Sequence, residues 1–199
     1  MVGKVTTKEL KNHTVVNTKN IMIRYIIPYN TDKNIGQSYN ESFKGLEDND
    51  YVCFCDGDTL FLDSSYGVKI ETILKENPNI EAATCYTNRV GCHWQVYRPE
   101  NWWSDDMKLH NKVTLDCWDE YGTEIEDVTT NQLMSGHFIL IKKSLWDKIG
   151  GCEIKGMLGV DNEIHQKVRD SGANMYLLKG IYVYHKYRFG EQSNKTHLL

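Results

Sequence analysis

Apolar positions in this chain follow two rhythms, one of strands and one of helices. Ile21-Met22-Ile23-Arg24-Tyr25-Ile26-Ile27 is a near-continuous β-branched run stopped by Pro28, the pattern of a strand buried on both faces. From Gly36 the rhythm lengthens: Tyr39, Phe43 and Leu46 stand at i, i+4 and i+7, the stripe of an amphipathic helix, until Glu47-Asp48-Asn49-Asp50 ends it. Tyr51-Val52-Cys53-Phe54-Cys55 reads as a second strand, so the chain opens with a β-α-β unit. Asp63 or Ser64 can cap a further helix presenting Tyr66, Ile70, Ile73 and Leu74, ended by Asn77-Pro78, with a strand over Ile80 to Tyr86. The first ninety residues therefore predict an α/β fold with a largely parallel sheet.

Between Asn88 and Thr130 the pattern dissolves into a segment rich in Trp, Asp, Glu and His, too long for a plain connector and read as a functional loop or a set of short elements. Regularity returns with a strand at Phe138-Ile139-Leu140-Ile141, a short helix from Ser144 to Ile149 and a turn at Gly150-Gly151. Asp161 caps a helix with Ile164 and Val168 on one face and Gly172 past its end, followed by strands at Met175 to Leu178 and Ile181 to Tyr184. Residues 1–20 read as a polar lead-in and 191–199 as a tail, leaving one domain over 21–190.

Composition narrows the classes without choosing among them. A chain of 199 residues that is 40% hydrophobic and 25% charged can bury a real core. Its net charge of -4 and pI near 6.0 leave no basic footprint for nucleic acid. No run approaches the roughly 18 apolar residues of a membrane span, and Met1 to Thr7 lacks the apolar core of a secretory signal, so a soluble cytoplasmic protein is expected. The six cysteines show no paired metal spacing and read as reduced, mostly buried thiols.

Chemistry enters with Asp56-Gly57-Asp58, two carboxylates one residue apart at the end of a strand. Such a pair can hold a hard divalent cation with its open positions facing outward, and a cation held that way commonly clamps a diphosphate. Asp-Gly is also a common turn dipeptide, and Thr59-Leu60-Phe61-Leu62 could be the return strand of a hairpin. In open α/β sheets ligands lie outside the carboxyl ends of strands, where three polar clusters fall: Pro28 to Asn34, Asp56 to Asp58, and the segment after Tyr184. His185 can supply a nitrogen as third ligand, a set suited to Mn²⁺ or Mg²⁺, or it is a histidine hydrogen-bonded at a strand end. Lys186 and Arg188 bring positive charge to the place where a diphosphate leaving group needs it. Trp94, Trp102, Trp103 and Trp118 are either sugar-stacking walls or core, with Trp146 assigned to the core. Arg89, Gln95 and His137 are further sugar or acceptor candidates, His137 because Gly136 beside it permits close approach to the backbone.

From Ile21 to Arg188 the chain resembles the GT-A superfamily of nucleotide-sugar glycosyltransferases. The opening strand leading into Asn34-Ile35-Gly36 and Tyr39-Asn40 is similar to the family's nucleotide-binding edge, and Asp56-Gly57-Asp58 to its DxD motif. Leu158-Gly159-Val160-Asp161-Asn162-Glu163 is similar to its acidic motif. Tyr184-His185-Lys186-Tyr187-Arg188 resembles the H-x-[FY]-R element closing the catalytic domain of polypeptide N-acetylgalactosaminyltransferases, and short virus-encoded capsid-glycan transferase domains, some moving rhamnose, are a further likeness.

The resemblance implies a Rossmann-like, mixed but mostly parallel sheet flanked by helices, with a nucleotide-binding half at 21–90 and an acceptor-side half at 91–190. It implies a UDP-sugar donor and a glycan acceptor, with Pro28, Tyr29, Thr31, Asn34, Gly36, Asn40 and Gly57 around the nucleotide. Asp58 and His185 become direct metal ligands, and Asp56 binds through water or holds the ribose. Asp161, with Glu163 beside it, becomes the catalytic acid/base position: general base in an inverting enzyme, sugar-orienting group in a retaining one. Inverting members often carry Glu-Asp at this motif, and here Val160 precedes Asp161. Two other classes remain open, a metal-dependent sugar nucleotidyltransferase and a non-catalytic carbohydrate-binding module. Pro28 to Lys33 lacks the glycine-rich, basic character that a triphosphate loop needs.

Overall fold

A computed structural model describes residues 21–187; the lead-in 1–20, Arg188 and the tail 191–199 lie outside the described residues. The elements in chain order are β1 (Ile23–Ile26), α1 (Ile35–Ser42), β2 (Tyr51–Cys55), β3 (Thr59–Leu60), α2 (Tyr66–Glu76), β4 (Ala82–Thr87), α3 (Met107–Tyr121), β5 (Ile125–Asp127), β6 (Phe138–Lys142), α4 (Lys143–Lys148), α5 (Val160–Asp170) and β7 (Met175–His185). Seven strands form one open mixed sheet in the order β1-β2-β6-β4-β7-β3, with β5 paired to β7.

The sheet's two faces explain the unbroken apolar runs of its central strands. Side chains alternate across a strand, so Val52, Phe54, Ile139 and Ile141 enter one core with α1, α4 and α5. Tyr51, Cys53, Cys55, Phe138 and Leu140 enter the opposite core with α2. All six cysteines are buried and unpaired.

The sheet is mixed, as expected, but it is not mostly parallel. β1–β2 and β4–β7 pair in parallel, but β6 runs antiparallel between β2 and β4, and β3 and β5 pair antiparallel to β7. β1 is an edge strand and only half-buried, not covered on both faces. The turn at Asp56-Gly57-Asp58 does not fold a hairpin back on β2; Thr59 and Leu60 cross to pair with Tyr184 and His185. β7 is one strand where two were expected. Its irregularity falls at Lys179-Gly180, where a Cβ on Gly180 would come within 2.0 Å of the Gly122 carbonyl oxygen. The segment from 88 to 130 contains α3, whose buried face is His110, Val113, Thr114 and Cys117. That stripe is helical in spacing but half polar in type, and therefore escapes a hydrophobicity pattern.

Candidate functional site

The carboxyl ends of β2 and β7 lie beside the N-terminus of α5 around one cleft of about 650 Å³. Asp56, Gly57, Asp58, His137, Asp161, His185 and Lys186 line it, joined by Pro28, Tyr39, Ser135 and the stretch from Met157 to Val160. β3 holds the two ends together: Lys186 N–H donates to the Asp58 carbonyl at 3.1 Å, and Tyr187 N–H to Asp58 Oδ2 at 3.1 Å.

His185 Nε2 stands 3.1 Å from Asp58 Oδ1 and 3.6 Å from Asp56 Oδ2. Its other nitrogen, Nδ1, lies 3.1 Å from the Arg89 carbonyl, which can only accept, so Nδ1 carries a proton. A neutral ring then directs the Nε2 lone pair at two carboxylates. That contact is repulsive unless positive charge stands between them, as a second proton on the ring or as a cation. The three side chains each offer a ligand atom, all within 4.8 Å of one another, a spacing that one divalent ion can bridge.

Neighbouring groups set the electrostatics of the trio. The contact with His185 holds the Asp58 carboxyl below its ordinary range, against the upward pull of burial. Burial raises Asp56, His185 opposes that, and the charges of Asp58 and Asp161 raise it further, although 47% of its side chain remains open to the cleft. His137 stacks on His185 with ring centroids 5.7 Å apart. Burial first, and His185 second, lower its pKa to about 3, so it stands neutral. Its carbonyl accepts from Asp56 N–H and from the Thr59 hydroxyl, both at 3.3 Å, which makes His137 a brace for the Asp56-Asp58-His185 trio rather than a backbone opened to ligand.

Asp161 does not cap α5. Gly159, at φ +88°, holds the cap position, and Asp161 sits in the first turn, accepting from Asn162 N–H at 2.9 Å. The close approach that Gly136 permits is that of Asp161 itself, since a Cβ there would stand 3.0 Å from the Asp161 Cβ. Burial raises the Asp161 carboxyl, opposed by backbone amides at Asn162, at Asp161 itself and at Gly136.

Other expected site residues are engaged elsewhere. Glu163 does not line the cleft. It accepts from Cys152 Sγ–H at 3.0 Å, Glu153 N–H at 2.8 Å and Ile154 N–H at 3.0 Å, and pairs with Lys167 at 2.9 Å. Asn40 makes a reciprocal pair with the backbone of Cys152, donating at 2.8 Å and accepting at 2.9 Å. At Gly36 a Cβ would meet the Ile154 carbonyl oxygen at 2.4 Å, so the glycine serves packing of α1 against the loop after α4. Asn34 caps α1 by accepting from Gln37 N–H and lines a neighbouring groove with Lys33 and Lys155. Thr31 and Tyr29 are exposed, Tyr29 at 77%.

The acceptor candidates are structural as well. Buried Arg89 donates to the carbonyls of Lys186 and Trp102 and pairs with Asp105. Gln95 donates to Thr84 and the Ser135 carbonyl and accepts from Ser135 N–H. Trp94 donates to the Gln132 carbonyl and packs on the first core, Trp118 packs on the second, and Trp103 is 75% exposed away from the cleft lining. Trp146 stacks on Phe43 in the core, as expected.

Tyr39, quoted with Asn40 in the segment similar to a nucleotide-binding edge but assigned to the core by its helical spacing, lines the cleft, as do Ser135 and the stretch from Met157 to Val160, which were not among the expected site residues. Among the described residues no helix is long and apolar enough to cross a membrane. The chain matches no family model, and no curated protein matches it significantly.

Proposed function

We propose that the chain is a metal-dependent glycosyltransferase with a GT-A-type fold, moving a sugar from a nucleoside diphosphate sugar, foremost a UDP-sugar, to a hydroxyl of a glycan or glycoside. The observation that carries this reading is the meeting of Asp56, Asp58 and His185 with Asp161 around a single cleft at the carboxyl ends of strands. Their order and spacing along the chain, similar to the superfamily's motifs, support it further.

Two carboxylates and an imidazole whose far nitrogen is fixed by a carbonyl fit Mn²⁺ or Mg²⁺. Asp58 and His185 would hold the ion directly, and Asp56 directly or through water. When bound, such an ion neutralises diphosphate oxygens and so stabilises the departing nucleotide. Lys186, exposed at the cleft wall, adds positive charge for the same leaving group. In an inverting transfer Asp161 accepts the acceptor hydroxyl proton as its oxygen attacks the anomeric carbon, and a carboxyl raised by burial is the better base for that step. In a retaining transfer Asp161 orients a sugar.

The test incubates the protein with manganese and a panel of UDP-, GDP- and CDP-sugars and follows hydrolysis or transfer to simple glycosides. Release of nucleoside diphosphate is expected. Release of monophosphate instead would sink the transferase reading, formation of nucleoside triphosphate and sugar phosphate only on adding pyrophosphate would favour a nucleotidyltransferase, and binding without turnover would favour a carbohydrate- or nucleotide-sugar-binding module.

A further inference from the structure

Tyr39 is 6% exposed, yet it lines the cleft. Its ring stacks on Phe54 with centroids 4.0 Å apart at 22° and lies 6.5 Å from Trp146, inside the core that α1 shares with the sheet. Its hydroxyl has no hydrogen-bond partner among the described residues. That oxygen feels the charges of both Asp56 and Asp161, which stand at the cleft. A core tyrosine therefore lines the cleft together with Asp56, Asp58, His185 and Asp161. Phenol groups buried to this degree normally find a partner, so an open one at a cleft implies a ligand atom.

The hydroxyl is held in place rather than free to swing. The reciprocal bonds of Asn40 with Cys152 and the glycine contact of Gly36 with Ile154 lock α1 on either side of Tyr39. Burial and the two carboxylates push the phenol well above its ordinary range, so it keeps its proton and can donate.

We infer that the Tyr39 hydroxyl is a specificity-determining group that donates a hydrogen bond to an oxygen of the glycosyl unit being transferred. This rests on the transferase reading above. In that reading the diphosphate lies against Asp56, Asp58, His185 and Lys186, and the attacking acceptor oxygen against Asp161. What lies between the leaving group and the base is the sugar, and Tyr39 lines the cleft that holds both carboxylates. A rigid donor matched to a substrate oxygen discriminates strongly, because a sugar that lacks the oxygen leaves the donor unpaired.

Tyr39→Phe tests this, since it removes one oxygen and keeps the stacked ring. Wild type and variant are titrated, with manganese present, against UDP, GDP and CDP and against their sugars, and turnover of the accepted sugar is measured alongside thermal unfolding. We expect the parent diphosphate to bind the variant within twofold of wild type and kcat/KM for the sugar donor to fall on the order of tenfold. The melting temperature should hold or rise, because the lost hydroxyl has no partner among the described residues. A sugar donor that suffers no more than its parent diphosphate overturns the inference alone. Wild-type protein that binds no diphosphate with manganese overturns the transferase reading and this inference with it.

Discussion

Replacing Glu163 by Gln should remove a large and pH-dependent share of the stability of this fold. Glu163 projects from the first turn of α5 and fastens the loop after α4 through three donors, Cys152 Sγ–H and the amides of Glu153 and Ile154, with Lys167 as counter-ion. Burial alone would raise this carboxyl, but the donors together with Lys167 lower it from 4.5 to about 2. The side chain is only 12% exposed, so solvent screens the interaction little. At 1.36 kcal/mol per pKa unit the depression corresponds to ~3 kcal/mol, good to about a unit of pKa.

The sign follows from the direction. A carboxyl whose folded pKa lies below its unfolded value contributes fully above the unfolded value of 4.5 and loses that contribution as pH falls through the folded value near 2. Glu163→Gln keeps one acceptor oxygen but sets an NH₂ against backbone donors. At pH 7 the variant should therefore unfold with about 3 kcal/mol less free energy, or roughly 6 to 12 °C lower in Tm for a chain of this size. Its stability should also lack most of the decline that wild type shows between about pH 5 and pH 2. Urea unfolding of both proteins at several pH values measures each quantity. A loss below about 0.5 kcal/mol at pH 7, or parallel acid slopes in the two proteins, would refute the assignment of Glu163 as a structural clasp.

Three further outcomes follow from the site and the sheet. Asp58→Asn should weaken manganese binding more than tenfold and abolish any rise in Tm on adding the metal, because it removes a charge that faces His185 Nε2 at 3.1 Å; titration calorimetry reads this directly. Asp161→Asn should keep the fold, since Gly159 and not Asp161 caps α5, while turnover falls by 10² to 10⁴ if the carboxyl is the base; near-normal turnover in a stable variant sinks that role. Gly180→Ala should cost about 2 to 3 kcal/mol in denaturant unfolding, because its Cβ would meet the Gly122 carbonyl oxygen at 2.0 Å and neither backbone can retreat without breaking the β5–β7 pairing; a neutral result would show that the bulge relaxes freely.

Much of the architecture was legible because burial on both faces leaves a mark in composition. β2 and β6 have no polar face, and their apolar runs announce central strands. α3 left no such mark because His110 and Thr114 form part of its buried stripe. His110 is satisfied by the Tyr182 hydroxyl at 2.7 Å and the Ser104 carbonyl at 2.9 Å, and the Thr114 hydroxyl donates back to the His110 carbonyl. The direction of β6 was equally hidden, since an apolar run carries no information about which way it pairs.

The candidate site divides along a different line. Asp56, Asp58 and His185 were singled out by their place at strand ends, where ligand groups collect, and Asp161 by the resemblance of its motif. Glu163, Asn40, Arg89 and Gln95 have the same polar types in the same neighbourhood, yet their atoms are taken up by other parts of the chain, those of Glu163 by the loop just before its helix and those of Asn40 by a backbone 112 residues away. Residue type gives hydrogen-bonding capacity, but whether that capacity is already used depends on long-range contacts that no local pattern encodes. A site is built from capacity left over. Tyr39 shows the converse, because its helical spacing assigned its ring correctly to the core and the likeness of Tyr39-Asn40 to a nucleotide-binding edge put it near a ligand, but neither said that its hydroxyl would find no partner among the described residues.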